Sequence, residues 1–256
     1  MRGRSVRQRF DLVRSLVQRE FVTSYRRSAL GWAWSLLLPL AQLAVLVVVF
    51  QYLVPLGIAR YPAFVFGALL PWTWFSTSVT QGCGTFIASG DLVRRPGFEP
   101  AVLIVASALA GFVSYVLALP ILIGMLWVEG RPPGPSLMWF PLLAAIEGVL
   151  IVGLGLAVGT LNVFYRDVQY VVGVVVMLLF YLTPVFYEIP ATLGAWRGVY
   201  LLNPMAALIE GYRAIFLHGT SPDVFPILTA AAVSAVVAVA GYAAYRRAIP
   251  DVVDLV

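Results

Sequence analysis

Six apolar runs divide this chain, and they constrain its fold more than any other feature of the sequence. Each run is long enough to cross a bilayer with some tilt, although the fifth is marginal, since a membrane-spanning helix needs about 20 mainly apolar residues. The sequence therefore predicts an all-α membrane protein with six transmembrane helices. The runs cover residues 31–54, 61–88, 101–128, 137–160, 170–187 and 224–245.

The composition supports a membrane protein and excludes several classes of enzyme. Of the 256 residues, 61% are hydrophobic and 11% are charged, whereas soluble domains carry about 25% charged residues. All 17 basic residues are arginine, which excludes a Schiff-base lysine and the phosphate-binding lysine of a Walker loop. The single Cys83 and the single His218 exclude an internal disulfide and a multi-histidine metal site.

The arginines are distributed like membrane-topology signals. If the N-terminus is cytoplasmic, 13 of the 17 fall on the cytoplasmic side and four on the opposite side, as the positive-inside rule requires. We therefore expect a multi-pass membrane protein with both termini in the cytoplasm. The basic composition is explained by topology, so we expect no binding to nucleic acid.

The six-span domain covers residues 31–245. One polar segment precedes it, one lies within it and one follows it. Apolar residues recur at spacings of three and four within residues 1–30, which predicts an amphipathic helix on the membrane surface. Residues 188–220 contain two short amphipathic pieces separated by Asn203-Pro204, and these predict a re-entrant helical pair before the last span. Residues 246–256 form a predicted cytoplasmic tail.

Glu147 is the one acidic residue inside the apolar runs. A charged carboxylate at that depth costs about 2.5–3.5 kcal/mol on insertion scales, so it should face the bundle interior or water. Two interpretations remain open, namely a polar position on a transport path and a hydrogen-bonded glutamate at a helix contact. No second buried acid is present to form a general acid/base pair, so we expect no catalytic residue and no metal site.

Four motifs follow one another along the chain. They are Arg19-Glu20 through Tyr25-Arg26, Ser28, Leu30-Gly31 and Trp34 to Pro39; Tyr165-Arg166-Asp167-Val168; Tyr181 to Tyr187; and Asn203-Pro204 with Ile209, Tyr212 and Arg213. In this order they resemble the motifs of the membrane subunits of ABC exporters for polysaccharides and polyol phosphates. That family includes the O-antigen, capsule and teichoic-acid exporter permeases. Together with the six-span layout, the resemblance covers nearly the whole chain.

The resemblance implies a homodimeric permease that works with two copies of a separate ATPase subunit. ATP and magnesium would bind to that ATPase, so no cofactor is expected on this chain. The resemblance also implies an N-terminal interface helix, a coupling loop at residues 89–100, and outer gate helices within residues 188–220. Phe98 and Pro100 are separated by Glu99, whereas family members commonly have an adjacent aromatic-proline pair, so the docking register of this loop stays open.

The resemblance also assigns roles to individual residues. Contacts with the ATPase are expected from Arg19, Glu20, Tyr25, Arg26, Asp91, Arg94, Arg95 and Phe98. The outer gate would include Asn203, Pro204, Tyr212 and Arg213.

A sugar polymer needs a wet conduit, because each unpaired hydroxyl costs several kcal/mol in hydrocarbon. Aromatic side chains can support the apolar faces of sugar rings, although an interfacial aromatic belt would also place such residues at span ends. Our candidates for the translocation path are Phe50, Tyr52, Glu147, Phe180, Tyr181, Phe186 and Tyr187.

We therefore expect a transporter permease subunit and not an enzyme. Its predicted function is the ATP-driven export of a lipid-linked polysaccharide, such as O-antigen, capsule or teichoic acid, across the bacterial inner or plasma membrane. The expected partners are a second copy of the chain, the ATPase, the lipid-linked glycan and membrane lipid. The alternatives are a permease subunit of an ABC exporter for a drug or other small molecule, and a membrane enzyme of glycolipid synthesis.

Overall fold

The computed structural model describes residues 14–18, 33–189, 200 and 202–256. Within these residues the regular structure is helical throughout. Four described helices are long and apolar enough to cross a membrane, namely Leu36–Leu53, Ala101–Val128, Pro135–Phe164 and Val224–Leu255. The prediction of an all-α, multi-span membrane protein is therefore confirmed.

Among the described residues, eight helices follow residues 14–18, which are themselves helical. Helix α1 continues into a π-helical turn, α5 follows a 3-10 turn, and α7 continues into a second π-helical turn. The bounds are α1 Ala33–Val47 with turn Val48–Leu53, α2 Tyr61–Ala88, α3 Gly90–Val93, α4 Ala101–Val128, α5 Phe140–Phe164 after turn Pro135–Trp139, α6 Val168–Leu182, α7 Pro204–Arg213 with turn Ala214–His218, and α8 Val224–Leu255.

The six apolar runs correspond to α1, α2, α4, α5, α6 and α8. Helix α6 has 15 residues, and at 1.5 Å per residue it is about 22 Å long, shorter than a full span. This is the run that the sequence already marked as marginal. Helix α8 extends through the predicted tail as far as Leu255, so the described residues of that tail are a helical extension of the last span.

Helix α2 lies at the centre of the bundle. Its first half is buried on nearly every side, from Tyr61 to Trp72, apart from Pro62, which is partly exposed. It packs against α4, α5 and α7 on one side and against α1 and α6 on the other. An α-helix that is apolar all round is typical of the interior of a membrane bundle.

Glycines allow the helices on one side of α2 to approach closely. A Cβ on Gly153 of α5 would lie 2.6 Å from the Cα of Ala238 on α8, and one on Gly82 of α2 would lie 3.3 Å from the Cα of Gly155 on α5. Small residues at such contacts are expected in a membrane, because lipid provides no hydrophobic drive between helices. Helices α2, α5 and α8 therefore form the tightly packed part of the bundle.

The loops gather at two opposite ends of the bundle. At one end, called the α7 end, Tyr61 donates a hydrogen bond to the Phe186 carbonyl at 3.0 Å, and Ser136 donates to the Ile215 carbonyl at 2.9 Å. At the other, called the α3 end, one apolar cluster joins α2, α3, α4, α8 and residues 14–18. The predicted gate and coupling segments therefore lie at opposite ends of the chain's helices.

Candidate functional site

The short helix α3 presents charged side chains at the α3 end. Asp91, Arg94 and Arg95 are exposed, whereas Val93 is buried and anchors the helix on the bundle. The chain therefore displays one acidic and two basic groups on a segment that is fixed by an apolar side chain. This arrangement suits contact with a partner, which is the role predicted for these three residues.

The other residues predicted to contact an ATPase differ in their placement. Phe98 is partly buried and packs against the chain's own apolar cluster at the α3 end. Its ring is thus available to a partner only in part, and its role stays a prediction. Arg19, Glu20, Tyr25 and Arg26 lie outside the described residues.

The C-terminal part of α8 packs beneath loop 89–100. Val252 is fully buried in the cluster that also contains Val93 and Leu16. A Cβ on Gly90 would come within 2.9 Å of the Val256 side chain. The sequence analysis expected a simple tail here, and the apolar residues at spacings of three and four, Tyr245, Ile249, Val252 and Val256, are the pattern that could have revealed the contact.

Most of the aromatic residues predicted on the path gather at the α7 end. Phe186 stacks on Phe50 with ring centroids 5.1 Å apart, and on Phe180 at 5.6 Å. Tyr181 and Tyr187 meet Phe186 edge-on, at 6.2 and 5.0 Å. The structure therefore joins residues from α1, α6 and the segment after α6 into one aromatic cluster.

Tyr52 and Trp72 show the limits of that prediction. Tyr52 lies on the same π-helical turn as Phe50 and is 70% exposed. Trp72 of α2 was not predicted, yet its ring lies 5.8 Å from that of Phe180. Its run also contains Trp74, and the sequence offered no specific reason to select one of the two tryptophans.

Arg213 fixes α7 to the segment that follows α6. Its guanidinium group is buried, with 2% of the side chain exposed. It donates hydrogen bonds to the Val185 carbonyl at 3.0 Å and to Glu210 at 2.6 Å, and it lies 3.6 Å above the Phe64 ring. A buried charge is stable only when it is paired and hydrogen-bonded in this way.

Asn203 joins the same two segments from the other end of α7. Its side-chain oxygen accepts a hydrogen bond from the Met205 backbone N–H at 3.1 Å, which makes it the N-cap of α7. Its amide nitrogen donates to the Thr183 hydroxyl at 2.9 Å. Pro204 occupies the first helical position, where its missing N–H costs nothing. Asn203 and Arg213, two of the four predicted gate residues, therefore hold α7 onto the Tyr181–Tyr187 motif.

Glu147 of α5 lies in the interior of the bundle and is fully buried. The Tyr212 hydroxyl of α7 donates a 2.8 Å hydrogen bond to one carboxyl oxygen. The Tyr115 ring of α4 meets the Tyr212 ring edge-on at 6.0 Å. Glu147 thus lies at a contact of three helices within the single chain, and its place on a transport path stays a prediction.

A polar groove between α1, α2 and α6 was missed by the sequence analysis. It is a cavity of ≈ 410 Å³ whose walls carry the amide of Gln42, the hydroxyls of Ser76, Thr77 and Thr80, and the rings of Trp72, Phe180 and Tyr181. The hydroxyl-bearing residues recur along α2 at spacings of three and four. That pattern, within an otherwise apolar run, is the signal that could have identified the groove.

The α2 hydroxyls in this groove are already satisfied as donors. Thr77 donates to the Thr73 carbonyl at 2.6 Å, and Thr80 donates to the Ser76 carbonyl at 2.8 Å. Each hydroxyl oxygen still has lone pairs that can accept a hydrogen bond. The groove can therefore accept hydrogen bonds from a hydroxylated ligand while its aromatic rings contact apolar surfaces.

The described part of the chain offers no group of three or more His, Cys, Asp or Glu side chains arranged to hold a metal ion. The polar groups described at the α7 end and in the groove can donate and accept hydrogen bonds. The arrangement supports guidance of a ligand along the helices and docking of a partner at α3.

Comparison with known proteins places these features in a family. The sequence profile described as "ABC-2 type transporter" matches residues 11–217. The O-antigen export system permease protein RfbA of Myxococcus xanthus is 34% identical over 235 residues, which cover 91% of this chain and 90% of the relative. An RfbA of Klebsiella pneumoniae is 28% identical over 212 residues, or 82% of each chain. The polysialic acid transport protein KpsM of Escherichia coli is 23% identical over 210 residues, or 81% of each.

Proposed function

The chain belongs to the ABC-2 type transporter family, and from this premise we propose that it is the permease subunit of an ATP-driven exporter of a lipid-linked surface polysaccharide. The relatives are named for O-antigen export and polysialic acid transport. Those names favour a polysaccharide over a drug or other small molecule, and a permease over an enzyme of glycolipid synthesis. ATP and magnesium then bind to a separate ATPase, and that ATPase docks on this chain.

The groove between α1, α2 and α6 is the observation that carries the proposal. A lipid-facing helix surface is apolar, since each unpaired polar group in hydrocarbon costs several kcal/mol. The groove instead displays Gln42, Thr77 and Thr80 beside aromatic rings. This combination suits a sugar chain, whose hydroxyls need hydrogen-bond partners and whose ring faces pack on aromatic surfaces.

A second copy of the chain would complete the conduit. Helix α6 buries only Val172 within the single chain, and its large side chains, including Val175 and Leu178, are exposed. Two α1–α6 faces placed together would cover these apolar residues and enclose the two grooves. We therefore propose a homodimer with two copies of the ATPase.

The proposed orientation places the α3 end in the cytoplasm of a bacterial cell. Among the described residues, the arginines of the α3 end are Arg14, Arg94, Arg95, Arg166, Arg246 and Arg247, whereas those of the α7 end are Arg60, Arg131 and Arg213. The positive-inside rule favours this direction. Loop 89–100 then faces a cytoplasmic ATPase, and α7 lies at the outer face of the inner membrane.

Disruption of the chain in its host tests the proposed function. We expect the surface polysaccharide to disappear and its lipid-linked precursor to accumulate inside the cell, as seen by glycan staining of intact cells and of lysates. A plasmid copy should restore export. Unchanged surface glycan together with loss of small-molecule efflux would contradict the polysaccharide assignment and favour the alternative exporter.

The double variant Arg94→Glu, Arg95→Glu tests the docking surface separately. Both side chains are exposed, so the variant should insert in the membrane at the normal level. Because it reverses two charges at the proposed ATPase contact, we expect export to be lost and the ATPase to co-purify weakly. Normal export by this variant would exclude the loop as the contact.

A further inference from the structure

Helix α8 connects the two ends of the bundle. At the α7 end, a Cβ on Gly211 would lie 3.0 Å from Ile227 of α8. In its middle, Gly241 packs directly on the Gly153 backbone of α5. At the α3 end, Val252 is buried against loop 89–100. The helix has 32 residues, which at 1.5 Å per residue gives about 48 Å, so it reaches from loop 89–100 to α7.

Tyr245 of α8 closes the N-terminus of α4. The first N–H groups of a helix have no partner within it, and Pro100, the N-cap residue of α4, provides no side-chain cap. The Tyr245 hydroxyl accepts a hydrogen bond from the Ala101 backbone N–H at 3.2 Å. The residue after loop 89–100 is therefore capped by the last helix and not by its own sequence.

The Tyr245 ring also contacts the helix that precedes the loop. It is 2% exposed and stacks on Phe86 of α2 with ring centroids 5.9 Å apart. One side chain of α8 thus touches the helices on both sides of loop 89–100. The neighbouring contact between Gly90 and Val256 holds the loop itself against the same helix.

A hydrogen bond fixes direction in a way that apolar contacts do not. The apolar contact between side chains such as Val93 and Val252 has no preferred direction, whereas a hydrogen bond weakens steeply when its angle changes. A push on loop 89–100 would therefore reach α8 chiefly through the Tyr245–Ala101 pair, and α8 would carry it to α7 through Ile227.

We propose that Tyr245 is a positioning residue for energy coupling, which makes loop 89–100 and α8 move together when the ATPase displaces the loop. The proposal rests on the proposed function for the existence of that ATPase. Tyr245 touches neither the glycan nor the nucleotide, and it acts through the loop. Its loss should separate ATP hydrolysis from the response of α7.

The conservative variant Tyr245→Phe tests this in the complete complex of permease and ATPase. It keeps the ring stacked on Phe86 and removes only the hydrogen bond. Deuterium uptake is measured with and without a non-hydrolysable ATP analogue. In the wild type, the analogue should change uptake both in loop 89–100 and in residues 204–218. In Tyr245→Phe the loop response should remain, whereas the response of residues 204–218 should fall about fivefold, a ratio that corresponds to one lost hydrogen bond.

Three further variants distinguish coupling from folding. Tyr242→Phe makes the same change three residues away on α8, where the side chain is 45% exposed, and should behave as wild type. Gly90→Ala adds a Cβ 2.9 Å from the Val256 side chain, which should push α8 away from the loop, disturb the Tyr245–Ala101 hydrogen bond and so reproduce the Tyr245→Phe result. Gly124→Ala, whose Cβ would meet no atom within 4 Å, should not. Because Gly90→Ala leaves Tyr245 intact, it remains informative if Tyr245→Phe reduces the amount of folded protein.

The outcomes of this experiment separate the two proposals. Full nucleotide response of residues 204–218 in Tyr245→Phe, or no such response in the wild type, would overturn the role of Tyr245. If the response behaves as expected but glycan export by the wild type is absent, the coupling role stands and the polysaccharide assignment fails. Glycan exported per ATP hydrolysed should fall by the same factor as the α7 response.

Discussion

The two sides of helix α2 are packed in different ways. On the side of α5 and α8, glycines let backbones touch, so that a Cβ on Gly153 would lie 2.6 Å from Ala238. On the side of α1 and α6, Gly173 has no atom within 4 Å of a Cβ position, and the helices enclose a groove of ≈ 410 Å³. Glycine is therefore required by a close backbone contact on one side, whereas on the other side no atom lies near the position of its missing Cβ.

This difference indicates that the two sides of α2 have different roles in the chain. On the α2–α5–α8 side the helix backbones lie in close contact at glycines, so a displacement at one end can be transmitted to the other. The α1–α6 side is thinly packed, polar within its groove and apolar on its outer face, as expected of a surface that a second copy covers. A tightly packed half and a thinly packed half, the second of which we propose to face the partner copy, therefore meet at α2.

The largest effect is expected from Gly153→Ala on the tight side. The added Cβ would overlap Ala238 and force the α5 and α8 backbones apart, an overpacking that costs about 3 kcal/mol of the free energy of unfolding. Gly173→Ala on α6 is the matched control, and it should be neutral or stabilise by up to ~1 kcal/mol because alanine favours a helix over glycine.

Thermal unfolding in detergent, followed by size-exclusion chromatography, measures both glycine variants. Equal losses of stability in the two variants would contradict the difference in packing between the two sides of α2. A Gly173→Ala protein that folds normally but fails to form dimers would instead support this difference, because it would show that the partner copy contacts α6 at Gly173.

The next effect concerns the α7 end, where Arg213→Met should remove about 1–3 kcal/mol of the free energy of unfolding, because the buried Val185 carbonyl loses its donor, whereas Glu210, whose side chain is 47% exposed, can be solvated. Arg60→Met offers the matched control at the same end. Arg60 pairs with Glu129 at 3.9 Å with its side chain 41% exposed, and such a pair contributes at most about 1 kcal/mol. Chemical unfolding of the two variants checks the ratio, and equal losses would mean that Arg213 is not a structural anchor.

The sequence predicted the helical class, the six runs and the motif order, because span length and polarity are local properties. The sequence linked the Tyr181–Tyr187 and Asn203-Pro204 motifs only through the family resemblance. The structure shows their physical contact, which is the hydrogen bond from Asn203 to Thr183. Tyr245 was missed because its role depends on Ala101, which is 144 positions away. The groove was missed because serine and threonine within an apolar run usually bond to their own helix, so their spacing along α2 was not taken as the sign of an open face.

A smaller effect is expected at Glu147, where the two interpretations from sequence still compete. Tyr212→Phe removes the hydroxyl that donates a hydrogen bond to the fully buried Glu147 carboxyl group, and we expect a loss of about 1–2 kcal/mol of the free energy of unfolding. Glu147→Gln keeps an oxygen that can accept from Tyr212, so its stability should change by less than ~1 kcal/mol. Both are measured by unfolding in detergent together with glycan export. Reduced export by a stable Glu147→Gln protein would favour the path, whereas normal export would favour the helix contact.

The smallest effect on stability is expected on the groove side, from Thr80→Val. Thr80 is exposed and its hydroxyl bonds only to its own helix, so loss of the hydroxyl should change the free energy of unfolding by no more than ~0.5 kcal/mol. Export should nevertheless fall about threefold if the hydroxyl oxygen accepts hydrogen bonds from the passing glycan. Thr229→Val is the matched control, because Thr229 of α8 also bonds to its own helix, at the Pro226 carbonyl, and lies away from the groove. Surface glycan, normalised to the amount of permease in the membrane, measures the difference. Equal export by the two variants would show that the polar face of α2 is not part of the path, and the contrast between the two sides of α2 would then concern packing alone.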